Sequence, residues 1–268
     1  MSATAGDPRV TPEQLAKFQA LVDKDVDAQV EFFLKSFIFA LGDDWKKVVE
    51  LSKTYAKYLR DNAAGQKSLD ATQAADFLQH NDATRTALER RKEVRDVDLN
   101  FDDYLDFIEL ALLLFKGMIL TEYYKRVGEA CPHDLSKGGV GVTGVGFELL
   151  DELFTMPTAL SPELEKAIEE FAAQKRARSE KMRSLEEKAA GGGVRAMSAK
   201  NELAQMNAAD VTEMNRLEIT LNAAKRRAGK QSGEAALKEK KQQEEQQQKA
   251  SREASRQRLA ERAALFGK

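Results

Sequence analysis

Between residues 98 and 109 an oxygen-bearing side chain stands at the first, third, fifth, ninth and twelfth positions: Asp98, Asn100, Asp102, Asp106 and Glu109. A hard divalent cation such as calcium takes six to eight oxygen ligands at about 2.3–2.6 Å. A loop wrapped around it turns alternate side chains inward, and a terminal glutamate closes the shell with both oxygens. In that arrangement Asp98, Asn100, Asp102 and Glu109 supply side-chain oxygen, Asp106 supplies a ligand or holds a bridging water, and Tyr104 contributes its backbone carbonyl. Leu105, at the eighth position, is the apolar residue that would bridge to a partner loop. The sixth position is Asp103, where glycine is usual because the backbone turns there with positive φ. Aspartate enters that region more readily than most non-glycine residues, at a cost on the order of 1 kcal/mol. The plainer reading of the same residues is an acidic turn between two core helices.

A cation loop of this kind needs a helix on each side, the EF-hand arrangement. Residues 82–95 predict the incoming helix, with Val94 and Val97 facing in, and residues 107–127 predict a strongly apolar outgoing helix. Further back, Thr11-Pro12-Glu13 carries a hydroxyl cap, proline at the first helical position and acid in the first turn. Helices follow over about 12–23, 25–41 and 43–59 by apolar periodicity. Val30, Phe32, Phe33, Phe37, Phe39 and Leu41 crowd the second of these, which implies burial on more than one face. Residues 61–73 resemble a second, degenerate hand. If Leu69 is its bridging position, Ala64 stands where an oxygen belongs and Gln73 replaces the closing glutamate, so its role would be support rather than ligation. Asp70 followed by Gln73 also fits a capping box.

Composition narrows the function classes. The chain has 268 residues, 32% of them charged and 42% hydrophobic, which suits a soluble protein. The longest apolar run, residues 110–120, is interrupted by Lys116 and Gly117 and is too short to cross a bilayer. The first eight residues lack a basic and apolar leader, and the single cysteine, Cys131, fits a reducing cytosol and not a disulfide framework. Only His80 and His133 are present, with no nucleophile triad or zinc spacing, so the expectation is a non-enzyme. Ser136-Lys137-Gly138-Gly139 puts its lysine before the glycines, the wrong order for a phosphate cradle. Residues 1–160 carry a net charge of −8 and residues 161–268 a net of +6. An acidic head and a basic tail suit approach to an acidic partner. The tail has almost no aromatics for base stacking, so a nucleic acid is not expected.

The expected class is all-α: an EF-hand-like helical head, a helical hairpin and a long charged C-terminal helix. Residues 1–11 read as disordered, 12–130 as the head, and 131–160 as a Gly/Pro-containing linker loop with a short helix near 147–153. Residues 161–230 read as the hairpin, and 231–268 as a Gln-rich helical or disordered tail without sustained heptads. Within the hairpin, Ser161-Pro162-Glu163 opens a helix running to about Ala190, Gly191-Gly192-Gly193 stops it, and a second helix is expected over about 209–228.

Two blocks carry a family resemblance. Residues 87–95 lead into the loop at Asp98 and on to Phe107-Ile108-Glu109, and residues 193–206 form a glycine-led segment, Gly193-Val194-Arg195-Ala196-Met197-Ser198-Ala199-Lys200 and onward. Together, in order and spacing over most of residues 20–230, they resemble the calcium-regulated actin-bundling proteins of protists. The resemblance implies that calcium at the hand lowers bundling. It also implies a filament-binding region at about 191–230, including Arg195, Lys200, Arg216, Lys225, Arg226, Arg227 and Lys230. Asp103 and the glutamine-rich end depart from the family pattern. The partner implied is the actin filament in the cytoplasmic cytoskeleton, with no membrane partner and with self-association compatible. The alternative is a structural protein on tubulin or a flagellar axoneme, where the same basic tail meets an acidic surface.

Overall fold

The computed structural model describes residues 9–63, 65–81 and 86–230; the side chains at 158–159, 207–217 and 225–230 lie outside that description. The described residues form an all-α fold. Its helices are α1 (Pro12–Val22), α2 (Val26–Leu41), α3 (Trp45–Asn62), α4 (Ala71–Asn81), α5 (Ala87–Val97), α6 (Phe107–Val127), α7 (Gly146–Thr155), α8 (Pro162–Ala190) and α9 (Val194–Lys230), with short 3-10 turns at Gly42–Asp44 and Met156–Ala159.

Local signals start these helices where the residue types say they should. The Thr11 hydroxyl accepts the N–H of Gln14 at 3.2 Å, the Gln14 side chain accepts the N–H of Thr11 at 2.9 Å, and Pro12 follows the cap. Asp25 caps α2 through the N–H of Ala28 at 2.8 Å. α6 ends at Gly128 in the left-handed conformation, φ 78°, with its N–H returned to the carbonyl of Tyr124.

α2 and α6 are the inner pair. Both are buried on several faces, and Phe33 of α2 packs on Phe37 and on Phe115 of α6. One continuous hydrophobic cluster runs from Phe18 in α1 to Leu221 in α9, so head and hairpin share a core. α8 lays Leu164, Ile168, Phe171 and Ala172 into it, with Phe171 edge-on to Trp45 at 5.3 Å between ring centroids. Lys175 of α8 is tied to Asp27 of α2 at 2.5 Å and to the Ser52 hydroxyl of α3 at 3.0 Å.

Two segments differ from the sequence expectation. The second hairpin helix begins at Val194, not near 209, because no proline or glycine interrupts 194–227 and Ala196 and Ala199 give the stretch a small buried stripe against α8. It runs antiparallel to α8, as expected: Lys181 pairs with Glu202 at 3.1 Å, and the Arg178 guanidinium donates to the carbonyl of Met206 at 3.0 Å. The glycine-rich stretch after Cys131 is packed on the head as a strap. The Gly117 N–H of α6 donates to the carbonyl of Gly138 at 3.2 Å, and a Cβ at Gly117 would stand 2.5 Å from the carbonyl carbon of Gly138. Lys116, fully buried, donates to the carbonyl of Val142 at 2.5 Å and pairs with Glu93 of α5 at 3.3 Å; Glu93 also accepts the N–H of Gly141. Val142 and Val145 then enter the core, followed by Leu149, Leu150 and Leu153 of α7. No described helix is long and apolar enough to cross a membrane. The 231–268 tail lies outside the described residues, as do 1–8, 64 and 82–85.

Candidate functional site

The 98–109 loop is framed by α5 and α6. Thr86 opens α5 with a capping box, its N–H given to Glu89 at 2.7 Å and its hydroxyl receiving the Glu89 N–H at 3.3 Å, so the incoming helix begins at 87. Residues 82–85, expected as its first turn, lie outside the described residues. Asp98 curls the chain back by accepting the N–H of Asp102 at 3.1 Å on one oxygen and that of Asp103 at 3.2 Å on the other. Asp102 accepts from the Tyr104 N–H and the Asn100 amide, both at 2.8 Å. The turn needs two left-handed residues, Phe101 and Asp103, each at φ 61°. The sixth-position backbone therefore adopts the conformation that glycine normally supplies, and the aspartate carries it.

Glu109, in the first turn of α6, is fully buried and reaches back across the loop, accepting the N–H of Leu99 at 3.2 Å and that of Asp106 at 3.0 Å. Three contacts hold the far end. Leu69 and Leu105 form an isolated antiparallel bridge, with N–H to O distances of 3.1 and 2.8 Å; the Tyr55 hydroxyl of α3 donates to the Leu105 carbonyl at 2.7 Å; and Gln29 of α2 accepts the N–H of Ile108 at 2.9 Å. On the other side of the bridge Asp70 accepts the N–H of Gln73 and Gln73 accepts that of Asp70, both at 2.9 Å, so these two residues cap α4.

The electrostatics of the loop are those of crowded carboxylates in a half-dry site. Burial first, then the charge of Asp102, pushes Asp106 up to about 7; burial raises Asp98, and burial together with the neighbouring acids raises Glu109 well above the usual carboxylate range. The Asn100 Oδ1 and Asp106 Oδ2 atoms are buried without a hydrogen-bond partner. Leaving a buried acceptor unpaired costs about 1–3 kcal/mol, and a hard cation answers both the orphaned oxygens and the repulsion. The residues present therefore fit calcium, with Asp98, Asn100, Asp102, Asp106, Glu109 and the Tyr104 carbonyl as the donors. Among the described residues no three His, Cys, Asp or Glu side chains are placed to hold a metal ion, and backbone N–H groups occupy the oxygens of Asp98 and Glu109. Loading would require those donors to be shared or moved.

The second candidate region is α9. Arg195 and Lys200 are exposed on its first turns. Arg216, Lys225, Arg226, Arg227 and Lys230 lie on the same helix, but their side chains are outside the description. Sequence reasoning missed the apolar half of this surface: Val194 is 86% and Met197 70% exposed, three residues apart on the face away from Ala196 and Ala199. The signal was available, since apolar residues on the opposite side of a helix from its small buried stripe must face outward. Farther along, α9 is pinned to the head. Leu221 is buried, the Trp45 indole of α3 donates to Asn222 at 3.2 Å, and Lys46 pairs with Glu218.

The family model described as F actin bundling C terminal matches residues 117–261, from within α6 past the end of α9. No curated protein matches the chain. Among solved structures, the 34 kDa F-actin bundling protein from Dictyostelium discoideum is similar with 21% sequence identity and a TM-score of 0.41, covering 90% of this chain and 98% of that one.

Proposed function

The chain belongs to the F-actin bundling C-terminal family, and from that membership we propose that it binds and bundles actin filaments; from the donor set of the 98–109 loop, which lies outside the matched residues, we propose further that calcium there lowers the bundling. The match over 117–261 is the observation that carries the reading, because more than half of the chain falls within it. α9 supplies the filament contact. Its exposed Arg195 and Lys200 complement an acidic surface, and Val194 and Met197 beside them add apolar area that exposed cations alone lack.

When bound, calcium would supply the positive charge that relieves repulsion among Asp98, Asp106 and Glu109. The chain offers a mechanical route from the loop to α9. Leu105 is bonded to Tyr55 of α3, and the same α3 begins at Trp45, whose indole holds Asn222 of α9. A shift of the loop against α3 therefore changes the footing of α9. Regulation requires the two arrangements of α9 to differ in affinity for the cation; a tenfold preference corresponds to about 1.4 kcal/mol.

Cosedimentation with actin filaments tests both parts. Low-speed pelleting reports bundles and high-speed pelleting reports binding, each with chelator and with excess calcium. The expected result is bundling with chelator and less of it with calcium. Equal bundling in both rejects the switch, and absence from the high-speed pellet in both rejects actin.

A further inference from the structure

The strap after Cys131 touches both helices of the cation loop and the loop itself. On α5 the acceptors are Glu93 and Asp96, three residues apart and so on one face of the helix. The strap donors have the same spacing: the Gly141 N–H goes to Glu93, and the Gly144 N–H goes to Asp96 at 2.6 Å. On α6 two neighbouring residues hold it, Lys116 through the carbonyl of Val142 and the Gly117 N–H through the carbonyl of Gly138. One short stretch of chain therefore ties the incoming helix to the outgoing one.

The end of the strap reaches the donor set. Gly146, where the strap turns into α7, lies against Leu99, the second residue of the loop; a Cβ there would stand 3.0 Å from a methyl carbon of Leu99. Leu99 is buried, and its N–H occupies one oxygen of Glu109 at 3.2 Å. Glu109 can close a cation shell with both oxygens only by giving up that N–H. The backbone of Leu99 must then shift, and the strap stands against its side chain.

We propose that residues 138–146 are a latch on the cation loop: docked, they fix α5 against α6 and hold Leu99 where its N–H takes an oxygen of Glu109, so that strap docking and cation loading oppose one another. The inference rests on the reading of the 98–109 loop as a calcium site and adds what sets the affinity of that site. The two events are linked, so the factor by which calcium weakens docking is the factor by which an undocked strap strengthens calcium binding. Beyond the latch the chain is anchored away from the loop. The Ser36 hydroxyl of α2 donates to the Leu153 carbonyl of α7 at 2.8 Å, and Phe32 packs on Phe154. The strap therefore lifts and returns as a segment held at its far end by the core.

Calorimetric titration of the full chain with calcium chloride reads the coupling in the wild type, Gly117→Ala and Val142→Ala. The first variant drives a Cβ into the Gly138 backbone, and the second trims the buried side chain that seats the strap without altering the loop, α5 or α6. Ile168→Val, in the buried stripe of α8, controls for general loss of stability. Both strap variants should bind calcium at least about fivefold more tightly than the wild type, and Ile168→Val should match the wild type. Hydrogen exchange on the wild type gives a second readout that needs no variant to fold: the Gly141 and Gly144 amides should exchange faster in calcium than in chelator. Unchanged affinity in both strap variants, equal tightening by Ile168→Val, or exchange that is no faster in calcium overturns the latch and leaves the loop a calcium site. Heat from the strap variants with none from the wild type supports a latch strong enough to keep the loop empty. Absence of heat from every protein overturns the calcium reading, and the latch with it.

Discussion

Replacing Lys116 by methionine tests how firmly the strap after Cys131 is locked to the cation-loop helices. The ammonium group lies 3.3 Å from the Glu93 carboxylate, and the two side chains are 0% and 1% exposed. At an effective dielectric of about 20 that separation is worth about 5 kcal/mol of attraction before desolvation is counted. The net value is smaller, but removing one partner leaves the other charge buried, which typically costs about 3–5 kcal/mol. Methionine has similar length and keeps the packing, so the loss is electrostatic plus the bond to Val142. For a chain of this size about 2–4 °C accompanies each kcal/mol, so the melting temperature should fall by roughly 10 °C. The control is Glu93→Gln on the same background: an amide in place of the carboxylate removes the stranded charge and still accepts the Gly141 N–H. Urea unfolding of the wild type, both single variants and the double variant gives the coupling. The double variant should be more stable than Lys116→Met alone. If it is no more stable, or if Lys116→Met costs less than about 1 kcal/mol, the pair is not the lock that its burial implies.

Gly117→Ala should free the strap by a different route. The new Cβ would meet the Gly138 backbone at 2.5 Å, so about 1–3 kcal/mol of stability is expected to be lost, with faster amide hydrogen exchange at Gly141 and Val142; unchanged exchange would show that the strap does not rest on α6. Tyr55→Phe removes the hydroxyl that donates to Leu105 and should cost about 0.5–1.5 kcal/mol in thermal melts, since the Leu105 carbonyl keeps the Leu69 N–H; a wild-type melt would mean that the bond contributes nothing. Glu109→Gln should abolish the heat of calcium titration that the wild type is expected to give, because the amide lacks the second anionic oxygen that closes the shell. Identical titrations of the two proteins would remove Glu109 from the ligand set.

What could be read from the residues was local, and what escaped was pairing at a distance. The outgoing helix runs over 107–127, as its apolar run predicts, and α1 starts at the Thr11 cap. The register of the loop also follows from spacing, since alternate positions around a turn must converge and Leu105 needs an apolar partner, which Leu69 supplies. Lys116 and Gly117 looked from sequence like faults in a hydrophobic run, yet they are the reason the strap can dock: one supplies a buried cation for Glu93, 23 residues away, and the other removes the Cβ that would bar Gly138. No periodicity marks the stretch from Gly138 to Gly144, where only Gly139 and Val142 are buried and the chain is held mainly by backbone hydrogen bonds to α5 and α6. The same limit hid the junction of head and hairpin, where Trp45 meets Asn222 across 177 residues. A buried tryptophan requires an acceptor for its N–H, which made a partner for Trp45 foreseeable while leaving its position in the chain open. The route proposed from loop to filament face depends on such pairings, so mutations at Tyr55, Trp45 or Asn222 should alter calcium sensitivity of bundling more than the loss of any single exposed cation on α9. Cosedimentation across a calcium titration ranks them, and the reverse order would break the route at α3.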